Sequence, residues 1–180
     1  LGQRWHHRPG HGGFVVEAVA SWDGKTLATT AVDDPVVRLW DAGTGNQVRE
    51  YRTEDPWAKS VAVSADGKTI AAGGPGGTVH VWELATGKEL LRLDARGAGG
   101  GGGDVSKLHL SADGKRVSAV SVNFLDGVNP AMLRVWDSTT RQLLIERPLR
   151  IEVFTRKTAN GEGKVFLPHY HFAPDRDLVT

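Results

Sequence analysis

The ten residues SWDGKTLATT at 21–30 return as SADGKTIAAG at 64–73 and as SADGKRVSAV at 111–120, with a shorter copy, APDRDLVT, at 173–180. The turn aspartates Asp23, Asp66, Asp113 and Asp175 are spaced 43, 47 and 62 residues apart. A second landmark follows each of the first three copies: VVRLWD at 36–41, TVHVWE at 78–83 and MLRVWD at 132–137. A chain made of such units cannot bury each unit's apolar residues within the unit, so neighbouring units must stack.

Within a unit the pattern is that of strands. EAVAS, SVAVS and KLHLS alternate and end at Asp-Gly, a strong hairpin signal. KTLATT and KTIAAG follow as second strands, and VVRLW, TVHVW and LRVW, rich in β-branched residues, as third strands. The Thr44-Gly45 and Thr86-Gly87 turns lead to QVREY and ELLRL as fourth strands. No segment of helical length has a 3.6-residue period. Four short antiparallel strands per unit of about 43 residues make one blade of a β-propeller. The expected fold is therefore all-β: an open propeller sector of about three blades plus part of a fourth, not a closed ring. Blade 1 is expected at 10–52, blade 2 at 53–94 and blade 3 at 95–147, the last with a Gly-rich lead-in and an inserted loop. Residues 1–9 read as the last strand of a preceding blade. Residues 148–180 read as an inserted hairpin, turning at Asn160-Gly161, and the start of blade 4. The missing initial Met and the stop at DLVT in mid-strand read as a fragment of a longer protein.

These motifs resemble the WD-repeat (beta-transducin-like) family, across residues 10–146 and in part across 168–180. The style of the repeats is similar to that of bacterial multi-repeat members. The resemblance implies a buried hydrogen-bond chain in a blade, running from the strand-end Trp to a Ser or Thr hydroxyl, then to His, then to Asp. The first repeat offers Trp40, Thr29, His11 and Asp34 for these places, with Asp33 a rival for the last. The second has Ala72, Gly76 and Glu54 at the partner positions. The third has Pro130 and Gly101 at the Asp and His positions, so these two blades are expected to rely on apolar packing. Trp82 and Trp136 stand at the same strand end as Trp40.

Other residues bear on function. His11, Asp34 and Thr29 could be arranged as base, orienter and nucleophile, but the hydroxyl belongs inside a blade, and no catalytic residue is expected. The run GAGGGGG at 97–103 lacks the Gly-Lys-Ser/Thr ending of a phosphate loop and reads as a linker. His169 and His171 face one side of a strand at a spacing suited to a metal pair. No third ligand accompanies them, so neither metal nor cofactor is expected. His171 shares a repeat column with His109. Trp22 replaces the small residue of the Ser-x-Asp-Gly-Lys turn, and with Trp57 it is a candidate protein-contact residue.

The expected role is a non-catalytic scaffold that binds other proteins or further blades of the same chain. The alternative is an enzymatic or ligand-binding propeller, quinoprotein-like or lyase-like, with a site at the central channel. The innermost strands read mainly as Ala, Val, Leu and Ser, which argues against it. A net charge of +1 gives no general pull toward nucleic acid, and the basic start LGQRWHHRPGH reads as a solvated end. No apolar run is long enough to insert in a membrane. With no cysteine and no visible signal peptide, the compartment is left open, with the cytoplasm favoured.

Overall fold

The computed structural model describes residues 10–96, 103–123 and 131–149, together with the backbone of two strands at 154–158 and 161–165. The chain divides into two compact units, 1–149 and 150–180. The first contains three four-stranded antiparallel sheets. β1 (Val15–Ala20), β2 (Thr26–Ala31), β3 (Asp34–Asp41) and β4 (Gln47–Arg52) form the first, in that order. β5 (Ser60–Val63), β6 (Thr69–Gly73), β7 (Thr78–Glu83) and β8 (Glu89–Asp94) form the second. β9 (Asp104–Leu110), β10 (Arg116–Val122), β11 (Ala131–Asp137) and β12 (Leu143–Leu149) form the third. β12 runs two residues past 147, the expected end of blade 3. There is no helix among the described residues. The sheets are successive blades of an open sector.

The period-2 pattern explains the stacking. Alternate residues of each strand point to opposite faces of the sheet. In the second blade both faces are apolar because both are covered. Val61, Ile70, Ala72 and Trp82 pack with Ala28, Val37, Leu39 and Tyr51 of the first blade. The residues one place along, Ala62, Ala71, Val79 and Val81, pack with Val105, Val117, Ala119 and Trp136 of the third. Trp82 and Trp136 thus each face the blade before their own. Trp40 occupies the same place in the first blade and borders a hollow of about 450 Å³. No described sheet covers that face, and Phe14, Val15 and Val48 are exposed.

The repeated turns are held by their own side chains. In the first, Ser21 Oγ donates to Asp23 Oδ1 (2.7 Å) and accepts from Thr26 N (3.0 Å), while Lys25 N donates to Asp23 Oδ1 (3.0 Å). Ser64 with Asp66 and Ser111 with Asp113 repeat this arrangement. The glycine after each Asp has φ of 68–69°, in the left-handed region. The Asp that follows Trp works likewise at the opposite hairpin: Asp41 Oδ1 accepts Thr44 N and Oγ1 at 2.7 and 2.8 Å. Asp137 accepts the N–H groups of Thr139 and Thr140.

The second unit contains β13 (Phe154–Thr158) paired antiparallel with β14 (Gly161–Val165). Thr158 pairs with Gly161. Gly161 of the expected Asn160-Gly161 turn thus begins β14, and Asn160 lies outside the described residues.

Candidate functional site

β3 breaks its aliphatic run with Arg38, two residues before Trp40. The loop before β1 brings His11 over the same sheet. Trp40 Nε1 donates to Thr29 Oγ1 at 2.8 Å, Thr29 Oγ1 lies 2.7 Å from His11 Nε2, and His11 Nδ1 lies 2.8 Å from Asp34 Oδ2. Burial alone would raise the Asp34 carboxyl, but Arg38, His11 and the Val36 N–H hold it below its ordinary value. It is an anion that can only accept, and Arg38 Nη1 lies 2.6 Å from His11 Nδ1 as well. Thr29 Oγ1 and His11 Nε2 share one hydrogen bond. Arg38 Nη1 donates to the same Asp34 oxygen, in an additional ion pair. Asp33 stands outside this group: it is exposed and occupies the turn with φ 57°.

The residue two before Trp is polar in the other blades too, and there it is buried. His80 is fully buried, lies 2.7 Å from Glu89 Oε1 through Nδ1, and stacks on Trp82 with ring centroids 5.5 Å apart. Arg134 donates to Glu146 Oε1 at 2.8 Å and to Ser121 Oγ at 2.9 Å, and also to the Ala95 carbonyl. Arg38 has Glu50 at 3.6 Å. Each blade thus ties its third strand to an acid on its outermost strand. Sequence reasoning missed this, although the signal is plain: one polar residue inside each aliphatic run.

Ala72 is buried in the apolar cluster that holds Trp82. Glu54 is exposed and pairs with Arg92. Its neighbour Asp55 is the buried acid of the second blade. Burial raises the Asp55 carboxyl above its ordinary value, against the opposing pull of His80 and of the Gly74 and Gly76 N–H groups. Gly76 gives it room: a Cβ there would lie 1.9 Å from Asp55 Oδ1. Asp55 Oδ2 and His80 Nε2 have no hydrogen-bond partner among the described residues. Pro130 and Gly101 lie outside the described residues.

Trp22 is 86% exposed, at the tip of the rigid Ser21–Asp23 turn. Trp57 is half-buried. His109 is exposed on β9, while His169 and His171 lie outside the described residues. Among the described residues no group of three or more His, Cys, Asp or Glu could hold a metal ion. No helix among them is long and apolar enough to cross a membrane.

The innermost strands correct one expectation, since they carry charge. Glu17 of β1 accepts Ser60 Oγ and Val61 N at 2.8 Å, and Lys107 of β9 at 2.6 Å. Ser60 Oγ in turn accepts Leu108 N at 3.0 Å. Lys59 pairs with Asp104 at 2.6 Å. Glu17, Ser60 and Lys107 stand four residues before Ser21, Ser64 and Ser111, in one repeat column.

Residues 45–83 match the family model described as WD domain, G-beta repeat. The chain is 34% identical over 67 residues to the nuclear distribution protein nudF of Aspergillus niger, a match covering 37% of this chain and 15% of that protein. It is 26% identical over 126 residues to autophagy-related protein 18 of Saccharomyces cerevisiae, covering 68% and 24%. The chain therefore spans a quarter or less of the length of these relatives. Both come from fungi and give no support to a bacterial source. Among solved structures, that titled "Structure of U3-55K" superposes with a TM-score of 0.63 at 17% identity, over 77% of this chain and 40% of that one. "Crystal structure of RRP9 WD40 repeats" gives 0.62 at 18% identity.

Proposed function

We propose that this chain, which carries WD repeats folded as an open run of propeller blades, is a non-catalytic scaffold that holds other proteins against the rims of its blades. The blades correspond to 10–52, 53–94 and 95–147, and the His11–Thr29–Asp34–Trp40 chain serves structure, not catalysis. The observation that carries the reading is Trp22. It stands 86% exposed on a turn whose other side chains are fixed by hydrogen bonds, where the equivalent turns carry Ala65 and Ala112. A large, flat, amphipathic side chain on a rigid mount is what a protein contact uses as an anchor. Its neighbours on that rim are the equivalent turn residues, Asp and Lys, a polar surround for one aromatic centre.

The test is photocrosslinking in cells, with a photoreactive residue placed at position 22 or, in a second version, at position 112. Protein adducts should concentrate at 22. Equal yields at the two positions would refute Trp22 as an anchor.

A further inference from the structure

The two junctions between blades are built from the same positions, yet only one is filled. Between the first and second blades, Arg49 of β4 lies in the crevice and donates to the carbonyls of Ala85 and Thr86 at 2.8 and 2.9 Å. Tyr51 donates to the Leu84 carbonyl at 2.7 Å. Gly87 makes room for Arg49, because a Cβ there would lie 3.1 Å from the Arg49 Cδ. Between the second and third blades, Leu91 and Leu93 replace Arg49 and Tyr51. A crevice of about 290 Å³ is left, lined by Thr69, Leu90, Leu91, Ser138, Thr139 and Arg141.

Arg141 stands where Gly45 and Gly87 stand in the other turns. Its φ is 64°, a left-handed conformation that a residue with a Cβ adopts only at a cost. Glycine would relieve the strain, so the guanidinium is what the turn gains by carrying Arg. The acid of its own turn, Asp137, is paired with Arg116. Arg141 has no acidic partner among the described residues. The crevice therefore joins a guanidinium and hydroxyl groups at one wall to leucine side chains at another.

We infer that this crevice binds an acidic side chain of a partner protein, with the carboxylate on Arg141 and an adjoining aliphatic group on Leu90 and Leu91. A planar carboxylate matches the guanidinium fork. A cationic guest of the Arg49 kind is disfavoured, because a positive charge lines this crevice where glycine stands in the first junction. The inference rests on the scaffold reading above and adds a site and a partner chemistry to it.

The test is an amide NMR titration of the whole chain with the capped tripeptide acetyl-Leu-Glu-Leu-amide, and with the same peptide carrying Gln in place of Glu. Saturable shifts are expected at Gly114, Thr139 and Arg141, with the Gln peptide about tenfold weaker. Arg141→Gly should abolish them while remaining folded, since glycine is what the other two turns carry. Equal binding of the two peptides, binding that survives Arg141→Gly, or the absence of saturable shifts at the crevice would overturn the inference. Saturable shifts elsewhere on the blades would overturn the crevice and leave the scaffold standing.

Discussion

Replacing Thr29 by valine keeps the shape of the side chain and removes a single oxygen. That oxygen accepts Trp40 Nε1–H at 2.8 Å and meets His11 Nε2 at 2.7 Å. The two partners lose differently. Trp40 borders the open hollow, and its N–H can turn to water, so the loss there is one net hydrogen bond, about 1 kcal/mol. The His11 side chain is 3% exposed, so its Nε2 keeps a desolvation cost of about 1–2 kcal/mol with no partner to offset it. The sum is about 2–3 kcal/mol, equivalent to a fall of about 5–10 °C in midpoint for a chain of this length. Urea unfolding followed by tryptophan fluorescence should show a lower midpoint with an unchanged slope. Because the groups act as a chain, Thr29→Val on a His11→Phe background should cost at least about 1 kcal/mol less than on the native background. A loss under about 0.5 kcal/mol, or strict additivity with His11→Phe, would refute the reasoning.

Asp55 should behave in the opposite sense to Asp34. Its carboxyl is raised in the fold by burial, so the stability it contributes is fully present below the unfolded value near pH 4 and is lost as pH rises through the folded value. Asp55→Asn should therefore stabilise the chain at pH 7 and give no gain at pH 3; a penalty that is the same at both pH values would contradict this. Asp34, held low, contributes stability that is present above its unfolded value and lost as pH falls through its folded value. Glu17→Ala should cost about 2 kcal/mol, because Ser60 Oγ and Val61 N both lose their acceptor. Glu17→Gln retains an acceptor and should cost less than about 1 kcal/mol, with the difference from native shrinking in salt. Hydrogen exchange of the β5 amides checks both, and equal losses for the two variants would count against the Glu17–Ser60 link between blades.

The blades were legible because their signals are local. Ser21, Asp23 and Gly24 make a turn from their own atoms, and nothing distant is needed to place it. The same holds for the strand-end Asp41, whose partner Thr44 lies three residues away. The polar group around Thr29 joins residues from 11 to 40, and periodicity alone would not have linked them; family resemblance supplied the link. Resemblance then misdirected the reading of the second blade. It drew attention to Glu54, which faces solvent, when the neighbouring Asp55 is the residue that turns inward against Gly76. A one-residue difference in a loop reverses inside and outside, and no strand register was available there to settle it.

The charged residues of the innermost strands were missed for a different reason. Read blade by blade, Glu17 and Lys107 are isolated polar residues in apolar strands, and the solvated face of a strand accounts for either one. Their pairing exists only after stacking brings β1, β5 and β9 side by side, 90 residues of sequence apart for Lys107 and Glu17. Aligning the repeats on the Asp-Gly turns places Glu17, Ser60 and Lys107 in one column, which makes the pairing a readable consequence of the period. The same alignment sets Arg38, His80 and Arg134 in another column, each with Glu50, Glu89 or Glu146 on the outer strand. One column links blades to each other near their inner edge, and the other braces each blade within itself. In a repeat protein the unit that carries such information is the column across repeats, because the physical neighbours of a residue are its own counterparts in the next unit.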